Sequence, residues 1–111
     1  LRAIGATATT ECDLAPLEFV HRIATARMVL TVDSAAAHLA TVFDRPAVIV
    51  FGGGHLGEFV PWGDSPKQQW VSHPLACFGC GWQCCRQRVE CLSDIAPSLV
   101  AQAIREVFDH A

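Results

Sequence analysis

Two short runs of β-favouring apolar residues, Met28-Val29-Leu30-Thr31-Val32 and Ala47-Val48-Ile49-Val50-Phe51, bracket an alanine-rich stretch that opens on Asp33-Ser34 and closes on Asp44-Arg45-Pro46. Continuous apolar runs of this length are the mark of strands buried on both faces. The stretch between them has a good N-cap by residue type at Asp33 or Ser34, and a proline to end it. Two strands joined through a helix pair in parallel, with a right-handed crossover. This one unit commits the chain to an α/β fold with helices on the faces of a parallel sheet.

The flanking sequence extends the pattern. Arg2-Ala3-Ile4 is short and apolar and ends at Gly5, as a strand would, and residues 7–13 read as a polar loop. Leu14, Leu17, Val20, Ile23 and Ala24 recur at helical spacing, with Pro16 tolerated in the first turn. Gly52-Gly53-Gly54 opens a long flexible loop running to Pro66, and residues 69–72 offer one more short strand. Residues 96–110 form a closing amphipathic helix with Leu99, Val100, Ala103, Ile104 and Val107 facing inward. The expected order is strand, helix, strand, helix, strand, loop, strand, irregular segment, helix. That is half of a doubly wound, Rossmann-like architecture.

A length of 111 residues fits a single domain spanning 1–111, with 51% hydrophobic and 17% charged residues arguing for a packed core. The formal net charge of −3 argues against a nucleic-acid partner, whose affinity would rest on a basic surface. No apolar run approaches the roughly 20 residues a membrane span needs. Leu1 opens the chain with neither an initiator Met nor a signal peptide, which reads as a fragment of a longer cytoplasmic protein.

Ligands of open parallel sheets bind outside the carboxyl ends of the strands. The segment Asp33-Ser34-Ala35-Ala36-Ala37-His38 follows one such end. Small residues at 35–37 let a phosphate approach the free amides of a helix start, where the dipole favours negative charge. Ser34 adds a hydroxyl, and His38 falls in the first turn, where its ring could donate to a phosphate oxygen. Asp33 would be repelled by a phosphate and suits a bracing role, accepting backbone amides of the loop. The same residues also suit an ordinary capped crossover with His38 as a packing residue.

Two further groups carry chemistry. Gly52, Gly53 and His55 lie at the second strand end, where a mobile loop could close over a ligand or simply face solvent. Five of the six cysteines fall in the Cys-rich segment 77–91. Cys77, Cys80, Cys84 and Cys91, with Cys85 as a substitute, form a set that four-coordinate structural zinc or iron would accept. Buried free thiols and adventitious disulfides explain them equally. Trp82 within the cluster reads as packing, and Cys12 has no assigned role.

Segment 32–54 resembles the signature of the lipopolysaccharide heptosyltransferase-like glycosyltransferases, Asp-Ser/Thr-Gly-x-x-His-Leu-Ala followed by a short helix, a proline and a strand ending in Phe-Gly. Asp33, Ser34, His38, Leu39, Ala40, Pro46, Phe51 and Gly52 match it, and Pro61-Trp62 and the closing helix after Ile95 also look like the family. The departure is Ala35, where the family has glycine. If that glycine supplies a positive φ, alanine weakens the site; if it supplies only small size, nothing is lost.

The resemblance implies a two-domain GT-B enzyme whose carboxyl-terminal half, this chain, binds an ADP-heptose-like nucleotide-diphosphate sugar through Asp33, Ser34, Ala35, Ala36 and His38. The implied reaction is inverting and metal-independent, delivering the sugar to a glycolipid or glycan acceptor such as the lipopolysaccharide core. The amino-terminal acceptor domain and its catalytic base would lie elsewhere in the parent chain, so the fragment alone would be inactive. Work at the inner membrane as a peripheral protein would fit such an acceptor. Some relatives that modify secreted proteins hold a metal by four cysteines in the region corresponding to 77–91. A non-catalytic nucleotide-binding module and a small cysteine–metal interaction domain are the competing readings.

Overall fold

The computed structural model describes residues 7–8, 13–57, 60–61, 63 and 65–110. Helix α1 spans Pro16–Thr25, strand β1 Val29–Val32, helix α2 Ala35–Val42, strand β2 Ala47–Val50 and strand β3 Gln68–Val71. A short helix α3, Glu90–Ser93, precedes the long closing helix α4, Pro97–Asp109. The strand expected at residues 2–4 lies outside the described residues, as does Cys12. The three strands form one sheet in the order β1-β2-β3, and both pairings are parallel. Val32 stands opposite Val50, and Val50 opposite Val71, so the carboxyl ends of all three strands finish level.

β2 is the central strand, and its sequence shows why. Alternation along a strand sends successive side chains to opposite faces. Ala47 and Ile49 enter the core with Ile23, Val29, Ala37 and Ala40, against α1 and α2. Val48 enters the opposite core with Val71, Ala103, Ile104 and Val107, against α4. Ala37 and Ala40 are wholly or almost wholly buried, so the alanines of α2 bring the helix close to the sheet. Gln68 is the buried polar residue of β3, and its side chain is satisfied. Thr41 Oγ1 donates to Gln68 Oε1 at 2.9 Å, and Gln68 Nε2 donates to the Arg45 carbonyl at 3.4 Å.

Three burial expectations are corrected. β1 is covered on one face only: Val29 is buried, but Leu30 is 42% and Val32 60% exposed. The cause is that α4 packs chiefly over β2 and β3. On α1 the row facing the core runs through Phe19 and Ile23 to Ala26, and Leu17 is exposed. On α4 the inward row is Val100, Ala103, Ile104, Val107 and Phe108, while Leu99 is exposed. Leu99 instead borders a surface groove, together with Gln102 and Glu106, beside β3.

Candidate functional site

The site is built on the level carboxyl ends of β1 and β2. Asp33 N donates to the Val50 carbonyl at 3.1 Å, and Phe51 N donates to the Val71 carbonyl at 3.0 Å, so the ladder continues one residue past each strand. Asp33 and Phe51 are therefore neighbours before either loop begins. Ser34 then takes an extended conformation and α2 starts at Ala35.

Ser34 occupies the N-cap position without capping the helix through its side chain. Its hydroxyl donates backward to the Val32 carbonyl at 3.2 Å and lies 3.2 Å from Thr31 Oγ1. Its carbonyl accepts from Ala37 N and His38 N, at 3.0 and 3.4 Å. The amides of Ala35 and Ala36 precede these bonds and belong to the helix turn that lacks an intrahelical acceptor. No acidic side chain sits in that first turn. The side-chain capping bond expected of Ser34 is thus not made, and no first-turn carboxylate offsets the positive end of the helix. Ala35 is exposed and is not among the residues with positive φ, so the alanine here meets no backbone penalty. His38 is half-buried in the first turn of α2.

The Asp33 carboxylate does something other than bracing its own loop. Among the described residues its oxygen faces His55, with Oδ2 lying 3.6 Å from His55 Nδ1. His55 ends a single 3-10 turn, Gly53–His55, that follows β2. The imidazole also meets the Trp82 ring edge-on, with centroids 5.6 Å apart and an interplanar angle of 80°.

The glycine triplet is a buried floor rather than an open flexible loop. A Cβ on Gly52 would come within 2.6 Å of Trp82 and 3.0 Å of Leu92, and one on Gly53 within 2.2 Å of Phe78. On Gly54 it would stand 2.1 Å from Trp82 Cδ2 and Cε2. Gly79 N donates to the Gly53 carbonyl at 2.7 Å, and Gly81 N to the Gly54 carbonyl at 3.0 Å. The Cys-rich segment thus lies across the strand end, and the triplet is glycine because two aromatic rings rest on it. Trp82 reaches its place through a left-handed backbone (φ 65°), immediately after Gly81 at φ 62°. For a residue with a Cβ that conformation costs about 1–2 kcal/mol, which the surrounding packing must offset.

Cys77, Cys80, Cys84, Cys85 and Cys91 are free thiols around one small cavity that Phe78 and Gly53 also line. Desolvation, and then the charges of Cys80, Cys91, Cys77 and Cys85, push the Cys84 thiol up from its ordinary value. The Arg86 guanidinium is held more firmly protonated by its hydrogen bond to Cys77 and by Glu90, whose Oε2 accepts from Nη1 at 2.8 Å. Among the described residues no three His, Cys, Asp or Glu side chains are placed to hold one metal ion. The five thiols share one cavity, close enough that the other four all act on Cys84.

A parallel sheet with helices on its faces and level strand ends defines a Rossmann-like α/β fold, with the candidate site at the carboxyl edge. The profile of glycosyltransferase family 9 (heptosyltransferase) matches residues 9–85, and the chain belongs to that family. Membership implies a glycosyltransferase. Comparison with curated proteins and with solved structures returned no significant match. Among the described residues no helix is long and apolar enough to cross a membrane.

Reading the residues in order located Asp33, Ser34 and His38 at one strand end and His55 at the next. The approach of Asp33 to His55, and Trp82 as the neighbour of His55, were not legible in that order. The signal for the first was present: adjacent parallel strands ending in register place residues 33 and 51 side by side.

Proposed function

We propose that this chain is the donor-binding domain of an inverting glycosyltransferase that takes a heptose-like sugar from a nucleoside-diphosphate carrier. Its acceptor is a glycan of the cell envelope such as the lipopolysaccharide core, reached from the cytoplasmic side. The acceptor domain and the general base belong to the amino-terminal part of the same parent chain. Here the work is leaving-group binding. As the bond from the anomeric carbon to the diphosphate breaks, negative charge grows on the phosphate oxygens. The amides of Ala35 and Ala36, the dipole of α2 and the His38 ring meet that charge without reorganising. Small side chains at positions 35 and 36 let the phosphates approach the backbone.

The observation that carries this reading is the start of α2. It opens at a strand's carboxyl end with no side-chain cap and no acidic residue in its first turn. Titration calorimetry with ADP tests it. The expected result is a dissociation constant of about 1 mM or tighter, weakened about tenfold by His38→Ala through the loss of one charge-assisted hydrogen bond. Heat of binding indistinguishable from dilution at about 10 mM ADP, well above that constant, would exclude the reading.

A further inference from the structure

This inference rests on reading the strand end as a diphosphate site, and it concerns what Asp33 does there. A carboxylate beside a diphosphate destabilises that ligand by like-charge repulsion. Bracing its own loop does not account for Asp33, because its carboxylate faces His55 Nδ1 at 3.6 Å and is 17% exposed. That separation is ion-pair range, longer than a hydrogen bond, and contacts of this kind often tighten only when ligand binds. On a second side the imidazole meets Trp82, which is itself seated against Gly54. A carboxylate next to one ring nitrogen favours a proton on Nδ1 and orients the ring.

We propose that His55 supplies a cationic contact to the leaving diphosphate, and that Asp33 acts on the ligand through His55 as a positioning residue. The pair joins the loops after β1 and β2 into one wall of the site. Asp33 then favours an anionic ligand despite its own charge, because it holds the group that contacts the anion.

The sign of one substitution separates this from mere proximity. ADP affinity is measured by calorimetry on the full chain and on Asp33→Asn, His55→Ala and the double variant, each checked for folding by far-UV circular dichroism. A carboxylate that only repels the ligand predicts tighter binding for Asp33→Asn. Action through His55 predicts about tenfold weaker binding for Asp33→Asn, about tenfold for His55→Ala, and no further loss in the double variant. Long-range proton–nitrogen NMR of the His55 ring adds a spectroscopic readout: both ring nitrogens protonated in the wild-type ADP complex, with that state lost in Asp33→Asn. If His55→Ala unfolds, His55→Gln takes its place with the same expectation. Unchanged or tighter ADP binding by Asp33→Asn overturns the inference, as do fully additive losses. Wild-type binding of ADP that His55→Ala leaves untouched overturns it alone, whereas no wild-type binding at all overturns the diphosphate reading with it.

Discussion

Ile49→Ala is expected to lower the free energy of unfolding by about 2–5 kcal/mol, read as a drop in the urea midpoint at unchanged slope. Ile49 is wholly buried on the central strand, and its side chain lies in the core shared with Ile23, Val29, Ala37, Ala40 and Ala47. Four of those neighbours are alanine or valine, too short to collapse into the space left behind. The loss is then transfer energy plus a retained cavity, at about 24 cal/mol per Å³ of residual volume. Against a total stability of about 5–15 kcal/mol for a domain, that is a large share. Leu17→Ala is the matched control. Leu17 is 85% exposed, so its truncation should stay within about 0.5 kcal/mol of wild type. A midpoint for Ile49→Ala equal to that of Leu17→Ala would mean that β2 is not the centre of the fold.

The contrast between these residues shows what pattern alone could specify. Ile49 sits in a continuous apolar run, and a run of that kind points to burial whichever face it presents. Leu17 and Leu99 sit at helical spacing with several other apolar residues, and spacing admits more than one choice of inward row. Which row turns inward depends on where the neighbouring layer ends, and that is a property of α2 and the sheet. Leu30 and Val32 failed as buried residues for the same reason, since α4 packs chiefly over β2 and β3. The crossover itself was legible throughout, because strand, cap, alanine helix and proline follow one another within a single local stretch.

The site was legible in proportion to how local it is. Asp33, Ser34, Ala35, Ala36 and His38 are contiguous, and the helix start they form could be read directly. Ala35 stood as the departure most liable to weaken that start; the position is helical and not left-handed, so the alanine itself carries no backbone strain. The glycine triplet could not be read this way. Its meaning lies in Phe78 and Trp82, which follow it by more than twenty positions and arrive through a turn of their own. Three glycines in a row look the same whether they bend freely or carry aromatic rings.

Gly54→Val makes that distinction measurable. A valine Cβ would stand 2.1 Å from two ring atoms of Trp82, nearer than any real contact, so the indole must leave. Overpacking of this kind costs about 1–3 kcal/mol. The Cys-rich segment is fastened here by Trp82, Phe78 and two hydrogen bonds donated by the Gly79 and Gly81 amides to the triplet's carbonyls. Detaching it can therefore proceed locally, leaving the β1–β3 sheet intact. The expected signature is cleavage within residues 77–91 about tenfold faster in limited proteolysis, with a urea midpoint much less affected than in Ile49→Ala. Gly57→Ala is the comparison. Gly57 has a φ of 86° and nothing within 4 Å of its missing Cβ, so it tests backbone strain without collision. Equal cleavage rates for Gly54→Val and wild type would show that the triplet is a free loop after all. With the segment released, His55 loses the Trp82 edge, and ADP binding should weaken although neither Gly54 nor Trp82 is assigned to the phosphates. That coupled loss is the expected consequence of a site whose second wall is held up from the far side by cysteine-rich chain.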